Sequence, residues 1–571
     1  MNTVAQYRRK NVLKAASLYL LSSWLLVQIF SVVSPYFHLP VVAGTTLVIA
    51  LAAGFPVACF MAYFFEVSVW GLKRITKDSL SNTKDDSTEA PVPNSKLPHM
   101  NEALMRIHEA IKKIAILPFA NLIDDPESNF LGFALADQII GSMAYSRHVL
   151  VRPSSSVRPY QTAACDIQDV GEKLRVHYIL AGNYLKDGDK IRLNVELVEL
   201  SLEKMIWRET IAIEYKDVFE LQDVVAQKIA KGLKIQFSDL EKARMNADQP
   251  DSSESYDLYL RAVAQPHTIE GHHQAVNLIN QALEIDPDYA VLHLELGMRL
   301  FSVAQVGNDT EDSHIKAEQA LSKALSLNPD SLPALANLGM VYTDDGRHEE
   351  AHSMLIKALK INPADAWLHF ALSYHYRYIG FLEESKKEME IALVTDSDNI
   401  LFRSSIVTYM FLGEYDHILD NFNLGLDSPF SLNYLGEVAY RAGKLDLAVD
   451  YFNRVLAIEN EIGEYHFAAS FIAFIQGDRA KALAFNRDRE AEEPADSEIY
   501  YEIARIYGLY GEVEDCRRTL KKAIEMGYVS YPSIDGDDFL KAVNQEPVIK
   551  NLLNLAQQKH QALRNSLIET Y

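Results

Sequence analysis

Three near-identical triplets constrain the second half of this chain more than any other feature. Lys323-Ala324-Leu325, Lys357-Ala358-Leu359 and Ile391-Ala392-Leu393 lie 34 residues apart, and Gln281-Ala282-Leu283 is the same element one unit earlier, displaced by 42 because an eight-residue insertion falls around residues 305–313. A repeat of that length holds two short antiparallel helices. One such pair cannot bury its own apolar face, so the chain must stack neighbour on neighbour into a one-dimensional array.

The clearest unit puts small and large residues where paired helices approach closely: Leu335, Leu338, Gly339, Tyr342, Gly346, Ala351, Leu355, Ala358 and Pro363, with Ala324 and Ala392 in the flanking units. This pattern resembles the tetratricopeptide repeat (TPR). Further units at Leu435 and Gly436 and at Ala504 and Tyr507 extend it, so six or seven repeats are expected over residues 253–525, followed by a C-terminal capping helix region at 526–571. The resemblance implies an all-α superhelix with a protein partner on its concave face.

The other end of the chain is apolar. Residues 15–65 contain no Asp, Glu, Lys or Arg. Two stretches, 15–33 and 41–65, each reach the roughly 20 residues that cross a bilayer as helix, and Pro35 and Pro40 bracket the turn between them. Seven basic groups (among them Arg8, Arg9, Lys10, Lys73 and Arg74) and one acid, Glu66, lie within residues 1–77, and all the basic ones fall outside the apolar run. The expectation is an α-helical transmembrane hairpin of two spans at 15–65 behind a basic N-terminus at 1–14, touching the membrane through 15–65 with both termini cytoplasmic. Residues 66–100 read as a juxtamembrane segment and flexible linker.

Between these parts, residues 114–119 read as a buried strand, 130–145 as a helix, 149–151 as a strand and 166–174 as a helix. Two alternating stretches follow around Lys186-Asp187-Gly188-Asp189, a hairpin signal, and an amphipathic helix spans 218–235. This order predicts an α+β domain at 101–240, joined through a linker at 241–252. The blocks IAILPFANLIDDPESNFLGFALADQI, VRPSSSVRPY and GEKLRVHYILAGNYLKDGDKIRLNVELVE, in that order, resemble the TolB-like, FlgO-like domain of bacterial proteins. The resemblance implies a non-catalytic module.

Composition narrows function. The net charge is −23, with 48 basic groups against 77 acidic ones beyond residue 77, so no nucleic-acid partner is expected. Three cysteines make no disulfide framework or zinc pattern. His348-Glu349-Glu350-Ala351-His352 spells H-E-x-x-H, but it fills the repeat slot in which Ala351 is the packing alanine, so it reads as packing and not as a zinc site. Asp535-Gly536-Asp537-Asp538 reads as a solvated turn, and His267, His272 and His273 as exposed loop residues. Arg152 and Arg158 flank Ser154-Ser155-Ser156, a weak candidate for holding a phosphate or acidic group, with turn formation and capping as the alternative. Phosphate-loop, dinucleotide and serine-elbow motifs are absent. No catalytic, metal or cofactor residue is assigned, no cofactor is expected, and the chain is not read as an enzyme.

The whole chain resembles a bacterial family combining a membrane segment, a TolB-like domain and tetratricopeptide repeats, related to CadC-like regulators and class III cyclase-associated repeat proteins, without their output domain. The multidomain expectation is therefore a transmembrane hairpin, an α+β domain and an all-α superhelix in one multi-pass protein of the bacterial inner membrane. Its function would be that of an anchored scaffold or adaptor in signalling. The alternatives are a regulatory or sensory subunit of a separately encoded nucleotide cyclase or transcription complex, and an enzyme with its site in the α+β domain. The sequence leaves partner, signal and oligomeric state open.

Overall fold

Helix pairs dominate the chain because their sequences cap and close them one after another. The computed structural model describes Leu51, residues 65–68 and 71–74 and, with short interruptions, residues 112–568. The chain divides into two units, Met1–Pro98 and His99–Tyr571. In the first, the described strands β1 (Phe65–Ser68) and β2 (Gly71–Arg74) pair antiparallel.

The second unit opens with a sheet of order β5-β3-β6-β7-β8, in which β4 (Ala120–Asn121) also pairs with β6. The central strand β3 (Lys112–Ile116) lies parallel to both β5 (Val149–Val151) and β6 (Tyr178–Asp187). Strands β6, β7 (Lys190–Glu199) and β8 (Lys204–Glu214) then meander antiparallel. Gly188, at φ +58°, supplies the left-handed conformation of the tight β6–β7 turn. Helices α1 (Leu131–Met143), α2 (Ile167–Leu174) and α3 (Glu220–Gly232) pack around the sheet; Ile114, Ile116, Leu135, Ile139, Leu193 and Ile229 are part of its buried core.

Eight helix pairs follow among the described residues: α4/α5 (Ser253–Val263, Ile269–Ile285), α6/α7 (Ala290–Val306, Thr310–Leu327), α8/α9 (Leu332–Asp344, His348–Ile361), α10/α11 (Ala366–Tyr378, Leu382–Thr395), α12/α13 (Ser405–Phe411, Tyr415–Asn421), α14/α15 (Pro429–Arg441, Leu445–Leu456), α16/α17 (Ile462–Ile475, Arg479–Ala491) and α18/α19 (Ser497–Leu509, Val513–Met526). Helix α20 (Pro547–Ile568) comes last. The insertion near residue 305 lengthens the second pair to 17 and 18 residues, against 13 and 14 in the third.

Side chains of Ser252, Asp365, Ser428, Asp478 and Asp496 accept backbone N–H bonds at helix starts. At the far end of the first helix of a pair, one glycine recurs in the left-handed region. At Gly346 (φ +72°), the Gly346 N–H bonds Thr343 O and the Arg347 N–H bonds Tyr342 O at 2.8 Å. The same closure recurs at Gly380, Gly413, Gly443, Gly477 and Gly511, and it satisfies carbonyls that the helix itself leaves open.

The array also ties back on itself. Val529 N–H donates to Tyr378 O at 3.0 Å, His348 Nε2 to Gly527 O at 2.8 Å and His560 Nδ1 to Ile379 O at 2.6 Å. Arg377 makes two 3.0 Å bonds to Glu498, and Arg564 reaches Glu384 at 3.1 Å. The α+β region docks on the repeats through Arg158 to Ala264 O at 2.9 Å, Asn362 Nδ2 to Ala144 O at 2.7 Å and Ser156 Oγ to Asp396 at 3.1 Å.

These findings correct the expected fold class and localisation. Among the described residues no helix is long and apolar enough to cross a membrane, because the helices interleave apolar with charged and polar side chains. The chain is mostly helical, with repeats and a small sheet region. The expected two-span hairpin at 15–65 lies outside the described residues except for Leu51 and Phe65, and Phe65 opens a β-hairpin where the second span was expected to end. The transmembrane assignment, the membrane contact through 15–65 and the multi-pass inner-membrane placement with cytoplasmic termini are therefore withdrawn. The basic residues of 1–14 and the linker at 77–100 also lie outside the described residues.

Candidate functional site

The inner side of the array and the adjoining face of the α+β region line one cavity of about 1680 Å³. Its lining runs from Asp137, Arg152 and Arg158 of the α+β region, past Trp367, Phe370 and Phe402, to Asn433, Phe467 and Arg489. The middle is an aromatic stack: Phe370 and Phe402 lie 4.8 Å apart at 21°, and Trp367 lies over Phe402 at 6.3 Å and 22°. Ten carboxylates, seven guanidiniums and no lysine line the cavity among the described residues, so its field disfavours a polyanion.

At the α+β end, the residues weighed as an anion site bond to acceptors of the protein itself. Arg152 is buried; its Nε donates to Leu174 O at 2.5 Å and its Nη1 lies 3.8 Å from Asp396 Oδ1. Ser154 Oγ donates to Asp137, and Ser156 Oγ to Asp396. Arg158 donates to Val263 O, Ala264 O and Gln265 O, the carbonyls that end α4, where a cation complements the helix dipole. Of Ser155, the structure describes only its place in the helical turn Ser154–Val157. Burial pushes the Asp137 carboxyl up to about 6, and the Ser154 hydrogen bond works against it.

Of the packing residues named in the third pair, Leu335, Leu338, Tyr342, Ala351, Leu355 and Ala358 are buried, as are Ala324 and Ala392, while Pro363 is exposed. A Cβ on Gly339 would meet Leu355 Cγ at 2.9 Å, so the close approach of α8 to α9 needs glycine there.

In H-E-x-x-H, His348 and His352 are buried and Glu349 is exposed. His375, from α10, packs against both, with ring centroids 5.6 and 5.8 Å away. Burial holds His348 and His352 down to about 4 and His375 well below the ordinary imidazole value. Among the described residues, no group of three or more His, Cys, Asp or Glu is arranged to hold a metal ion.

Sequence reasoning missed a set of buried charges. Glu437, fully buried on α14, accepts from Arg441 at 2.8 Å and from Arg505 at 2.7 Å, while Arg489 pairs with Glu502 at 2.5 Å. Asp537, expected in a solvated turn, is buried and takes bonds from Arg441 and the Tyr501 hydroxyl at 2.9 Å each. The guanidiniums hold its carboxyl below the ordinary range despite burial. His272 is also buried, packed 3.5 Å from Arg299, and not an exposed loop residue. For Glu437, Glu502 and Arg505 the available signal was a charge at a position where a first helix otherwise presents apolar residues to its neighbours.

A second missed group is a relay. Asp344–Tyr374, Tyr374–Tyr378 and Tyr378–Asp496 are linked by hydrogen bonds of 2.7, 2.6 and 2.7 Å. Burial, together with the Asp496 charge, pushes the Asp344 carboxyl well above the ordinary range, and burial raises Asp496 as well.

With the geometry in view, comparison with known proteins gives two family matches. A model described as HilA/YgeH-like transcriptional regulator, second domain, matches residues 110–228, and a tetratricopeptide-repeat model matches residues 311–376. The chain contains tetratricopeptide repeats. Over the stretch expected to be a TolB-like, FlgO-like domain, the matching model is the HilA-type second domain, and neither model describes a catalytic family. Among curated relatives, the chain is similar to "Putative adenylate cyclase 3" of Rhizobium meliloti (strain 1021), 27% identical over 235 residues, covering 37% of this chain and 40% of that protein. It is also similar to the transcriptional regulator HilA of Salmonella typhimurium, 23% identical over 290 residues and 50% of each. The chain spans half or less of the length of these relatives. Among solved structures it is similar to a tetratricopeptide repeat protein from Parabacteroides merdae, 19% identical, covering 46% of this chain and 98% of that one with a TM-score of 0.30.

Proposed function

We propose that the chain is a scaffold that grips a segment of a partner protein along the concave face of its tetratricopeptide repeats. The observation that carries this reading is the cavity. At about 1680 Å³ it exceeds the roughly 300–1,000 Å³ of small-molecule pockets, and its mixture of aromatic wall and charges of both signs suits a polypeptide. The α+β region, which resembles a TolB-like domain, forms one wall and offers its outer surface to a second partner. A photo-crosslinking residue at Leu401, which lines the cavity and is 41% exposed, tests this against the same residue at Leu445, which is 49% exposed and lies outside the cavity. A defined protein crosslinked in cells from position 401 and not from 445 is the expected result. Equal or stronger crosslinking from 445 overturns the reading.

A second reading is a regulatory or sensory subunit of a separately encoded nucleotide cyclase or transcription complex. The names of the two curated relatives favour it. Mass spectrometry of the protein crosslinked from position 401 decides between a general scaffold and this role in signalling.

A further inference from the structure

The two edges of the sheet differ. On one side β5 is three residues long, and Val149 and Leu150 are buried. On the other, β8 runs for 11 residues without a proline and exposes Arg208, Glu209, Thr210, Ala212 and Glu214. Among the described residues, no strand pairs with the outer side of β8.

The register fixes which backbone groups line that outer side. Along an antiparallel pair, opposed residues alternate between those that exchange hydrogen bonds and those that do not. The tight turn at Gly188-Asp189 makes Asp187 and Lys190 a bonded pair, and at the far end of the same ladder the Leu200 N–H donates to His177 O at 3.0 Å. Even-numbered residues of β7 therefore turn their N–H and C=O to β6, and odd-numbered ones turn theirs to β8. Leu193 stands opposite Ile211, Val195 opposite Glu209 and Leu197 opposite Trp207, so Trp207, Glu209 and Ile211 bond inward. The N–H and C=O groups of Arg208, Thr210, Ala212 and Glu214 point away from β7.

An open edge of this length is a template for another strand, and folded proteins commonly block such edges with proline, with charge or by shortening them. Here two of the outward positions carry the small, uncharged side chains of Thr210 and Ala212, between the basic Arg208 and the acidic Glu214. That order is self-complementary. When a strand pairs antiparallel with a second copy of itself, one residue stands opposite its own twin, and the choice of that residue sets every other pair. Centred on Arg208 or on Glu209, the pairing opposes like charges; centred on Thr210, it sets Arg208 against Ala212. Centred on Ile211, it sets Arg208 opposite Glu214 and Thr210 opposite Ala212, each pair occurring twice by symmetry and all in bonding positions.

We propose that β8 is a dimerisation edge, pairing antiparallel with β8 of a second copy of this chain about Ile211, with an Arg208–Glu214 pair closing each end of the joint. The inference stands apart from the concave-face reading, because no residue of β8 lines the cavity.

Sedimentation velocity of the full chain over about 1–100 µM tests it. Within one copy, Arg208 and Glu214 are about 20 Å apart along the strand, too far to pair with each other. Arg208→Glu alone and Glu214→Arg alone each oppose like charges at both ends of the joint, and each is expected to weaken dimerisation at least about tenfold. Mixed in equal amounts, the two variants again oppose unlike charges at both ends, so a heterodimer of about the unsubstituted affinity is expected. Thr210→Pro removes an outward N–H and spares the ladder to β7, since an edge strand tolerates proline on its outer side, and it is expected to leave the chain monomeric. Thermal melts verify that the variants fold; should Thr210→Pro fail to, the charge variants and their mixture decide. An unsubstituted chain that is monomeric throughout the range, charge variants that dimerise as tightly as it does, or a mixture no tighter than its components overturns the inference. A folded Thr210→Pro variant that still dimerises does the same.

Discussion

The third helix pair, α8/α9, and the later pairs α14/α15 and α18/α19 share one geometry but hold it with different chemistry. In the third pair, the first helix packs through Leu335, Leu338 and Gly339, and its contacts are with sequence neighbours. In the later pairs, the first helices carry Glu437, Glu502 and Arg505 fully inside, and Arg505 reaches Glu437 across 68 residues of chain. Apolar packing satisfies itself locally, whereas a buried charge must find its opposite wherever the fold brings one. The comparison teaches that repeat geometry sets where neighbouring helices lie, and that the buried charges then tie together units far apart in sequence.

The largest expected effect comes from breaking the charged core. Glu437→Gln leaves Arg441 and Arg505 with Asp537 alone, and we expect a loss of about 3–5 kcal/mol, read as a lower denaturation midpoint by circular dichroism. Leu338→Ala in the apolar pair is expected to cost about 2–4 kcal/mol through lost burial and a cavity; a loss exceeding that of Glu437→Gln would invert the comparison. Two glycines sharpen it. Gly346→Ala meets the Gly527 Cα at 2.8 Å, while Gly443→Ala opens onto free space at a similar positive φ. The second should cost about 1 kcal/mol for the left-handed backbone alone, and the first clearly more.

The pH dependence should separate the two regions as well. His348 and His352 are protonated near 6.5 when unfolded but only near 4 when folded. The unfolded chain therefore binds more protons between those values, and this contribution to stability, full above about 6.5, is lost as pH falls toward 4. We expect His352→Leu to flatten the drop in melting temperature between pH 7 and pH 5. Asp537 is held below the ordinary carboxylate range, so its contribution persists until the medium is more acidic. The smallest effect belongs to Asp344→Asn. An amide keeps the shape of the Asp344 side chain and the acceptor oxygen for the Tyr374 hydroxyl, and burial already holds that carboxyl well above the ordinary range, so we expect a change below about 1 kcal/mol; a loss comparable to that of Glu437→Gln would overturn this.

The repeats were legible because a 34-residue period survives in Ala324, Ala358 and Ala392, small residues that helix packing requires at a fixed place. The charged core was not legible, since nothing local to Glu437 points to Arg505, and nothing local to Arg377 points to Glu498, 121 residues away. Asp537 misled for the same reason: an acid-rich turn looks solvated until two guanidiniums from other helices arrive. The apolar run at 15–65 carried an expectation that the described residues do not support.

The ties between residues 348–384 and 498–564 have a mechanical consequence. An open solenoid stretches like a spring, each unit taking up part of the load. Here the backbone bond from Val529 to Tyr378, the His348–Gly527 and His560–Ile379 bonds and the Arg377–Glu498 pair bridge the stretch from α12 to α17. Tension applied to the two ends of the repeat region passes across those bridges first, so α12 to α17 lie off the direct line of load, held instead by the buried Glu437–Arg505 and Arg489–Glu502 pairs.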